Sequence, residues 1–439
     1  MVHANGGTSH RDWAVITRAE PAVQTIAGMI PAVMRRMIFL LVLLLTAFAA
    51  RAEDWPQFRG PTGQGHSSEH NIPLEWSESR NIVWKVPVRG LGWSSPSVAG
   101  GRVWLTTAIE NEYPASLRVM AFDAATGNQI VDTELFKISP DPYANPKNSF
   151  ASPTPILEGD RVYVHFGSDG TAALTASGEI LWRIRLPYHA LHGNGGSPVL
   201  YGGLLIINCD GDDDAFVIAL DKNTGETRWK TLRRKPFAQA YSTPLVIRVG
   251  DRDQVVSNGG YRSVAYEPLS GAEIWSVDYP EGYSNVPRPV YGHGLVYIGT
   301  GLQHPSLLAV RVDGTGDVTS THIAWKLDRA VPVTSSPLIV GDEIYIVSDI
   351  GIATCLDAKT GRIHWQQRLG GNYSASPLFA DGRIYFLNEE GVATVLTPGK
   401  EFKRISRSSI DGTTYASLAV SGGAIFLRSD THLYRIGSR

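Results

Sequence analysis

The sequence predicts an all-β chain folded as an eight-bladed β-propeller of four-stranded antiparallel blades, and three observations carry that expectation. A unit of roughly 37–51 residues recurs eight times between Gly92 and Arg439, which is the length of one four-stranded blade. Each unit opens on small residues and a proline, and most lead through an acid-x-x-Thr-Gly turn to a tryptophan. The strand that the last unit lacks is present near the amino end, so the ring can be sealed noncovalently. No single unit has enough apolar surface to fold alone, so each must bury its faces against its neighbours.

The units align on Pro96, Pro155, Pro198, Pro244, Pro289, Pro337 and Pro377, with Leu418 in that place in unit eight. Proline is tolerated at the start of a strand because no ladder donor is needed there. Two apolar runs joined by a glycine turn follow, as in SSPSV-AGG-RVWLTTA of unit one and SSPLIV-GDE-IYIVSD of unit six, which is hairpin chemistry. The later half of the unit reads AFDAATGNQIV from Ala121, ALDKNTGETRW from Ala219, AYEPLSGAEIW from Ala265 and CLDAKTGRIHW from Cys355. The acid and threonine bond local backbone, the glycine allows positive φ, and the tryptophan packs on the neighbouring blade. Unit two shortens this run, unit five stretches it through VDGTGDVTSTHIAW, and unit seven runs TPGKEFKRI without tryptophan. The fourth-strand positions are Trp84, Val131, Trp182, Trp229, Trp275, Trp325, Trp365 and Phe402, which gives eight blades, or seven if unit five or eight is irregular. Unit eight ends at THLYRIGSR, and NIVWKVPV from Asn81 to Val88 supplies its last strand. Closure removes the sheet edges that invite aggregation.

At 439 residues the chain would allow several ordinary domains, but stacked repeats form one, here 81–439. Arg35 and Arg36 precede the apolar run Ile38–Ala49, and Ala50-Arg51-Ala52 places small residues at −3 and −1. That pattern predicts a cleavable signal peptide over 34–52, too short for a membrane span, and a periplasmic or secreted product beginning at Glu53. Residues 1–33 then lie upstream of the start at Met34 or Met37, and 53–80 form an extension before the ring. No cysteine stands at the cleavage site to take a lipid. Cys209 and Cys355 fall in units three and six, too far apart in a ring to bridge, and are expected to be buried thiols. The formal charge of −2 gives no reason for a nucleic-acid or anionic-membrane partner, and Arg233-Arg234-Lys235 is read as a solvated turn. A monomer is expected.

The AxDxxTGxxxW marker resembles that of the pyrroloquinoline-quinone (PQQ) repeat proteins, and the resemblance covers about Asp54 to Arg439. DWPQFRGPTGQG, IPLEW and NIVWK look like secreted PQQ-like repeat proteins of environmental bacteria, usually labelled by analogy with BamB, the scaffold of the outer-membrane β-barrel assembly machinery. The resemblance implies a propeller that is either a nonenzymatic scaffold or a quinoprotein dehydrogenase acting on alcohols or sugars with PQQ and calcium. Such dehydrogenases carry an adjacent cysteine pair, which this chain lacks, and no calcium-binding set beside a catalytic aspartate matches here. BamB-type proteins are lipoproteins, and this leader has no lipidated cysteine. The expected function is therefore an exported binding scaffold with no cofactor, the dehydrogenase being the alternative.

In a propeller the segments leading into the innermost strands crowd around one mouth of the central channel. Three positions before the aligned proline or leucine stand Trp93, Tyr241 and Tyr415, and Phe150, His192, Asn194, Tyr283, Asn285, Arg288, Asn372 and Tyr373 lie in equivalent segments. Aromatics, amides and an arginine suit a planar, sugar-like or peptide ligand, so a protein or carbohydrate partner is expected at this mouth; the competing reading is that these side chains fill the channel. Asp210, Asp212 and Asp214 have the spacing of a calcium loop, with Asp221 at the twelfth position, but Ala215 stands where the sharp turn needs glycine. A solvated hairpin turn accounts for them. His189 and His192 lack a third ligand at metal-site spacing, and Tyr261 and Arg262 are placed near the mouth. There is no phosphate-cradling glycine loop, G-x-S-x-G elbow or H-E-x-x-H helix.

Overall fold

The computed structural model describes residues 52–111, 113–139, 145–190, 192–233 and 239–438. Residues 1–33, the leader up to Arg51, and Arg234 with Lys235 lie outside the described residues. Eight sheets follow one another along the chain, each built of four antiparallel strands in sequence order. Blade one, for example, is Ser97–Ala99, Arg102–Ile109, Ala115–Asp123 and Gln129–Ile138. The eighth blade is completed from the other end of the chain: Ile82–Pro87 pairs antiparallel with His432–Ile436, Trp84 opposite Arg435. The ring is thus sealed as the sequence predicts. Its apolar core lies between blades, in seven clusters that each join facing surfaces of neighbouring sheets.

The repeat marker explains how neighbours lock. Asp123 Oδ1 accepts the Thr126 N–H and hydroxyl at 2.8 Å each, which shapes the turn. In five fourth strands the tryptophan then lies on the turn of the next blade. Its indole N–H donates to that turn's carbonyl: Trp84 to Ala124 at 3.1 Å, Trp182 to Lys222 at 3.0 Å, Trp229 to Pro268 at 2.9 Å, Trp325 to Ala358 at 2.9 Å and Trp365 to Gly399 at 3.0 Å. Trp275 of blade four instead donates to Gln254 Oε1 of its own blade at 2.8 Å. The turn glycine meets the ring face. A Cβ at Gly225 would stand 2.7 Å from the Trp182 ring, and one at Gly271 would stand 2.4 Å from Trp229. Both glycines have φ of +77° and +71°, respectively, so conformation and clearance each demand the residue.

Three local departures have physical causes. In blade seven the register places Ser406, not Phe402, at the tryptophan position; Phe402 lies before the strand and packs edge-on against Trp365 at 5.2 Å. The extension serves that gap: Ser406 Oγ donates to Leu74 O at 2.5 Å, and the buried Trp76 donates its backbone N–H to Ser408 Oγ at 3.0 Å. The stretched run of unit five leaves its own blade intact and adds Gly316–Asp317 as a fifth, parallel strand on blade four. Arg233 is no solvated turn, since it is buried against Asp210. Cys209 and Cys355 are free and buried, as expected.

His165, at the end of the second strand of blade two, is fully buried, with Nδ1 2.8 Å from Thr171 Oγ1. Burial pulls it down to about 3. The unfolded chain takes up this proton near 6.5 and the folded chain does not, so stability is lost as pH falls below about 6.5. The expected loss from this group is about 1.4 kcal/mol per pH unit between about 6 and 4. Chemical denaturation across that range should show a shallower slope for His165→Asn than for the parent; identical slopes would remove His165 as the cause.

Candidate functional site: a blind cavity in the ring

The central channel is closed at one end by the chain itself. Residues Trp55–Ser67 cross it and bond the second residue after the aligned proline in four blades. Trp55 exchanges backbone bonds with Val98 at 2.7 and 2.8 Å, Leu157 N donates to Pro56 O at 2.8 Å, and Phe379 N donates to Gly65 O at 2.8 Å. Tyr291 N donates to Gln64 Oε1 at 2.6 Å. Arg59 anchors the loop through Pro337 O at 2.7 Å, and Arg288 holds Phe58 O at 2.7 Å. What remains is a cavity of about 450 Å³ with Phe58 in its wall.

Two rings of side chains line it, following the two-residue period of an extended segment. Three positions before each aligned proline or leucine come Trp93, Ser152, Gly195, Tyr241, Val286, Thr334, Ser374 and Tyr415, and all eight line the cavity. One position before it come Ser95, Thr154, Ser197, Thr243, Ser336, Ser376 and Ser417. These seven hydroxyls form a collar in which each oxygen accepts the backbone N–H of the preceding blade's equivalent residue. The bonds run Ser95 to Thr154, Thr154 to Ser197, Ser197 to Thr243, Arg288 to Ser336, Ser336 to Ser376, Ser376 to Ser417 and Ser417 to Ser95, all at 2.9–3.0 Å. The circle breaks at one link, where Arg288 takes the eighth position and has no hydroxyl to offer Thr243. Closure of the ring is therefore registered at its innermost radius as well as at the tryptophan turns.

At the rim, Trp93 and Tyr415 sit 4.5 Å apart, tilted by 49°, and His192 and Tyr241 sit 6.5 Å apart at 42°. Burial pushes the Tyr241 hydroxyl above its usual range, and burial followed by the charge of Glu389 does the same for Tyr415. Lys147 Nζ reaches Glu389 Oε1 at 2.8 Å. Burial pulls this amine down, but the bond and charge of Glu389 outweigh it and hold it above the usual lysine range. Ser374 Oγ also donates to Glu389 Oε1, at 2.6 Å. Asp349 accepts Val333 N, Thr334 N and Thr334 Oγ1 at 2.9, 3.2 and 2.8 Å. Three guanidiniums behind the cavity wall, those of Arg59, Arg288 and Arg428, are buried to within 1–2 % exposure and have no carboxylate partner among the described residues. Burial lowers each to about 9, with the charge of Arg288 adding to the effect on Arg59.

The structure brings Trp93, His192, Tyr241 and Tyr415 together on this cavity. The other residues expected there go elsewhere. Tyr373 is buried in the core between blades six and seven. Arg288 turns behind Phe58, bonding Pro244 O at 3.1 Å. Tyr283 stacks on Tyr261 at 5.9 Å, and Arg262 pairs with Asp278. Asn285 is buried, donating to Gly259 O at 2.8 Å. Phe150 and Asn194 line a separate smaller cavity of about 170 Å³. Asn372 is exposed on the loop facing Glu390. The acidic turn is divided: Asp210 is ion-paired with Arg233, Asp212 lies 2.6 Å from His189 Nδ1, and Asp213 accepts the His189 N–H at 3.1 Å. Desolvation raises Asp210 against the opposing pull of Arg233. Among the described residues no three His, Cys, Asp or Glu side chains converge as a metal-binding group, and Asp214 joins none.

The family model described as outer membrane protein assembly factor BamB matches residues 115–367 and 314–401. The chain belongs to this BamB-type PQQ-repeat family. The BamB of Alteromonas naphthalenivorans is 26% identical over 166 residues, 36% of this chain and 38% of that protein. The BamB of Shewanella oneidensis is 26% identical over 208 residues, 44% and 50% of the two chains. The chain thus aligns with half or less of these relatives' lengths. The crystal structure of BamB from Moraxella catarrhalis superposes with a TM-score of 0.58 at 15% identity, covering 82% of this chain and 97% of that one, a likeness of fold. Among the described residues no helix is long and apolar enough to cross a membrane.

Proposed function

We propose that this BamB-type propeller is an exported, nonenzymatic scaffold that takes a protein or ligand partner at its open mouth. The observation that carries the reading is the cavity: the chain's own amino-terminal segment crosses one end, and the aromatic rim lies at the other. Convergent polar groups beneath half-buried aromatic anchors are the composition of a recognition site. Export is supported by the seat of Glu53. Its backbone N lies 2.6 Å from Glu69 Oε1, and the Glu69 carboxylate is fixed by Gly422 N and Gly423 N at 3.0 and 2.9 Å. Cleavage after Ala52 would leave an ammonium group facing that carboxylate, a charge-assisted contact.

The alternative, a quinoprotein dehydrogenase, calls for a flat slot for PQQ and a set of carboxylates for calcium. The cavity residues do not fit that pair. Trp93 lies tilted against Tyr415 instead of offering a parallel slot, and the carboxylates of Asp349 and Glu389 are already engaged by backbone N–H groups, hydroxyls and Lys147. The test places a photo-crosslinking amino acid at Trp93 or Tyr415 and, as control, at the exposed Leu269 on a turn of the opposite face. In periplasm of a producing cell the rim positions should capture a common protein band that Leu269 does not. Equal capture at all three, or PQQ- and calcium-dependent dye reduction by the purified chain, would overturn the reading.

A further inference from the structure

We propose that the cavity binds a sugar acid of one or two rings, with its carboxylate toward the hydroxyl collar and a pyranose face against the Trp93–Tyr415 rim. This rests on the reading of the open mouth as a binding site, and it names what the cavity takes. The collar is the first ground. Each of its seven oxygens is used as an acceptor by a backbone N–H, which leaves the O–H free to donate. Among the described residues, none of these O–H groups donates to a protein acceptor, so seven donors face the cavity. A ligand that satisfies them must be rich in oxygen lone pairs.

The charge balance is the second ground, and it is independent. Among the described residues Lys147 and Asp349 are the ammonium and carboxylate that line the cavity. Arg59, Arg288 and Arg428 lie buried behind the wall around Phe58 and Ser94, while Glu389 and Glu390 act on Tyr415 and Asp212 on Tyr241 at the rim. Lys147 is neutralised by Glu389, but the three guanidiniums bond only carbonyls and the Ser94 hydroxyl. Nε and Nη1 of Arg59, and Nε and Nη2 of Arg428, are buried with no partner at all. A buried cation is normally paired, and a field left uncompensated in a low-dielectric wall is focused into the adjoining cleft. Arg59 and Arg288 stand behind Phe58 at the floor, and Arg428 stands behind Ser94 beside Trp93, so the positive field comes from both sides. An amine would be repelled here, and a neutral sugar would leave the field unused.

The size and the rim complete the choice. About 450 Å³ suits a small ligand, and the tilted Trp93–Tyr415 and His192–Tyr241 pairs offer apolar faces above a polar floor. A peptide loop from a partner would meet a blind end and could bring in only its tip.

Calorimetric titration of the purified chain tests the proposal with D-glucuronate and D-galacturonate, the matching neutral sugars glucose and galactose, acetate, and a tri-glutamate peptide. Uronates should bind at least about tenfold more tightly than the neutral sugars, the worth of one charge-assisted contact, and more tightly than acetate or the peptide. Raising the salt concentration should weaken uronate binding, and Trp93→Ala should weaken it while leaving the melting temperature unchanged. Equal binding of acid and neutral sugars, binding of acetate or tri-glutamate as tight as uronate, or no uronate binding at millimolar concentration would each overturn it. A chain that captures a protein at Trp93 but binds no uronate loses this inference and keeps the scaffold reading; a chain that does neither loses both.

Discussion

A chain shortened to begin at Val88 should fail to form a closed ring. It lacks the strand Ile82–Pro87 that completes blade eight and the segment Trp55–Ser67 that bridges five blades. Loss of one buried tryptophan alone typically costs about 3–5 kcal/mol, and the buried Trp55 and Trp76 both leave with this piece. The edge of His432–Ile436 is bared as well, which templates association between chains. Against a total stability of roughly 5–15 kcal/mol, the shortened chain is expected to aggregate and to show no cooperative melting. Because closure is noncovalent, a synthetic peptide of residues 53–87 added during refolding should restore a monodisperse product with a sharp transition. A shortened chain that melts like the parent, or a peptide with no effect, would contradict the described closure.

The second large effect concerns the tryptophan-on-glycine contact. Trp229→Ala should destabilise by about 3–5 kcal/mol through cavity formation between blades three and four. Gly271→Ala should cost about 1–3 kcal/mol, because alanine is strained at φ +71° and its methyl group meets the Trp229 ring. The two are coupled. With Trp229 already removed, the methyl group has space and only the backbone strain remains, so the double variant should be less destabilised than the two losses added together. Urea denaturation of the four proteins reads this coupling directly. Strict additivity would mean that the ring and the glycine do not touch in solution.

Much of the fold is legible because the repeat writes the same physical demand many times. The aligned prolines, the Asp-x-x-Thr-Gly turns and the tryptophans each mark one contact that recurs around the ring, and Trp84 identifies the displaced strand by itself. Blade seven shows where this stops. With no tryptophan, the alignment chose Phe402, whereas the register places Ser406 there, and the space is served by Leu74 and Trp76 from outside the repeat.

The site was legible in part for a related reason. Position three before the proline drew notice in Trp93, Tyr241 and Tyr415 because aromatics stand out. The same offset in Ser152, Gly195, Val286, Thr334 and Ser374 lines the cavity equally. The hydroxyl collar was also in view, as the serine or threonine before almost every aligned proline, but such residues read as ordinary strand starts until a ring brings them face to face. Tyr373 and Asn285 go elsewhere because mere membership of a lead-in segment does not say which way a side chain turns; both stand four before the aligned proline, next to the offset of three that lines the cavity in every blade. The sealing segment Trp55–Ser67 has no periodicity, and its contacts lie 43 to more than 300 residues away in sequence, so nothing local announces them.

The pairing of Ile82–Pro87 with His432–Ile436 also sets an order of events during biosynthesis. Ile82–Pro87 must wait for His432–Ile436, and until that strand emerges the growing chain is an unfinished arc with both flanks open. A chain threaded through a membrane pore would thus stay unsealed until its tail had arrived, and a polypeptide broken off early would have no way to hide its flanks. The join is in effect a checkpoint, passed only by a chain whose synthesis has reached His432–Ile436.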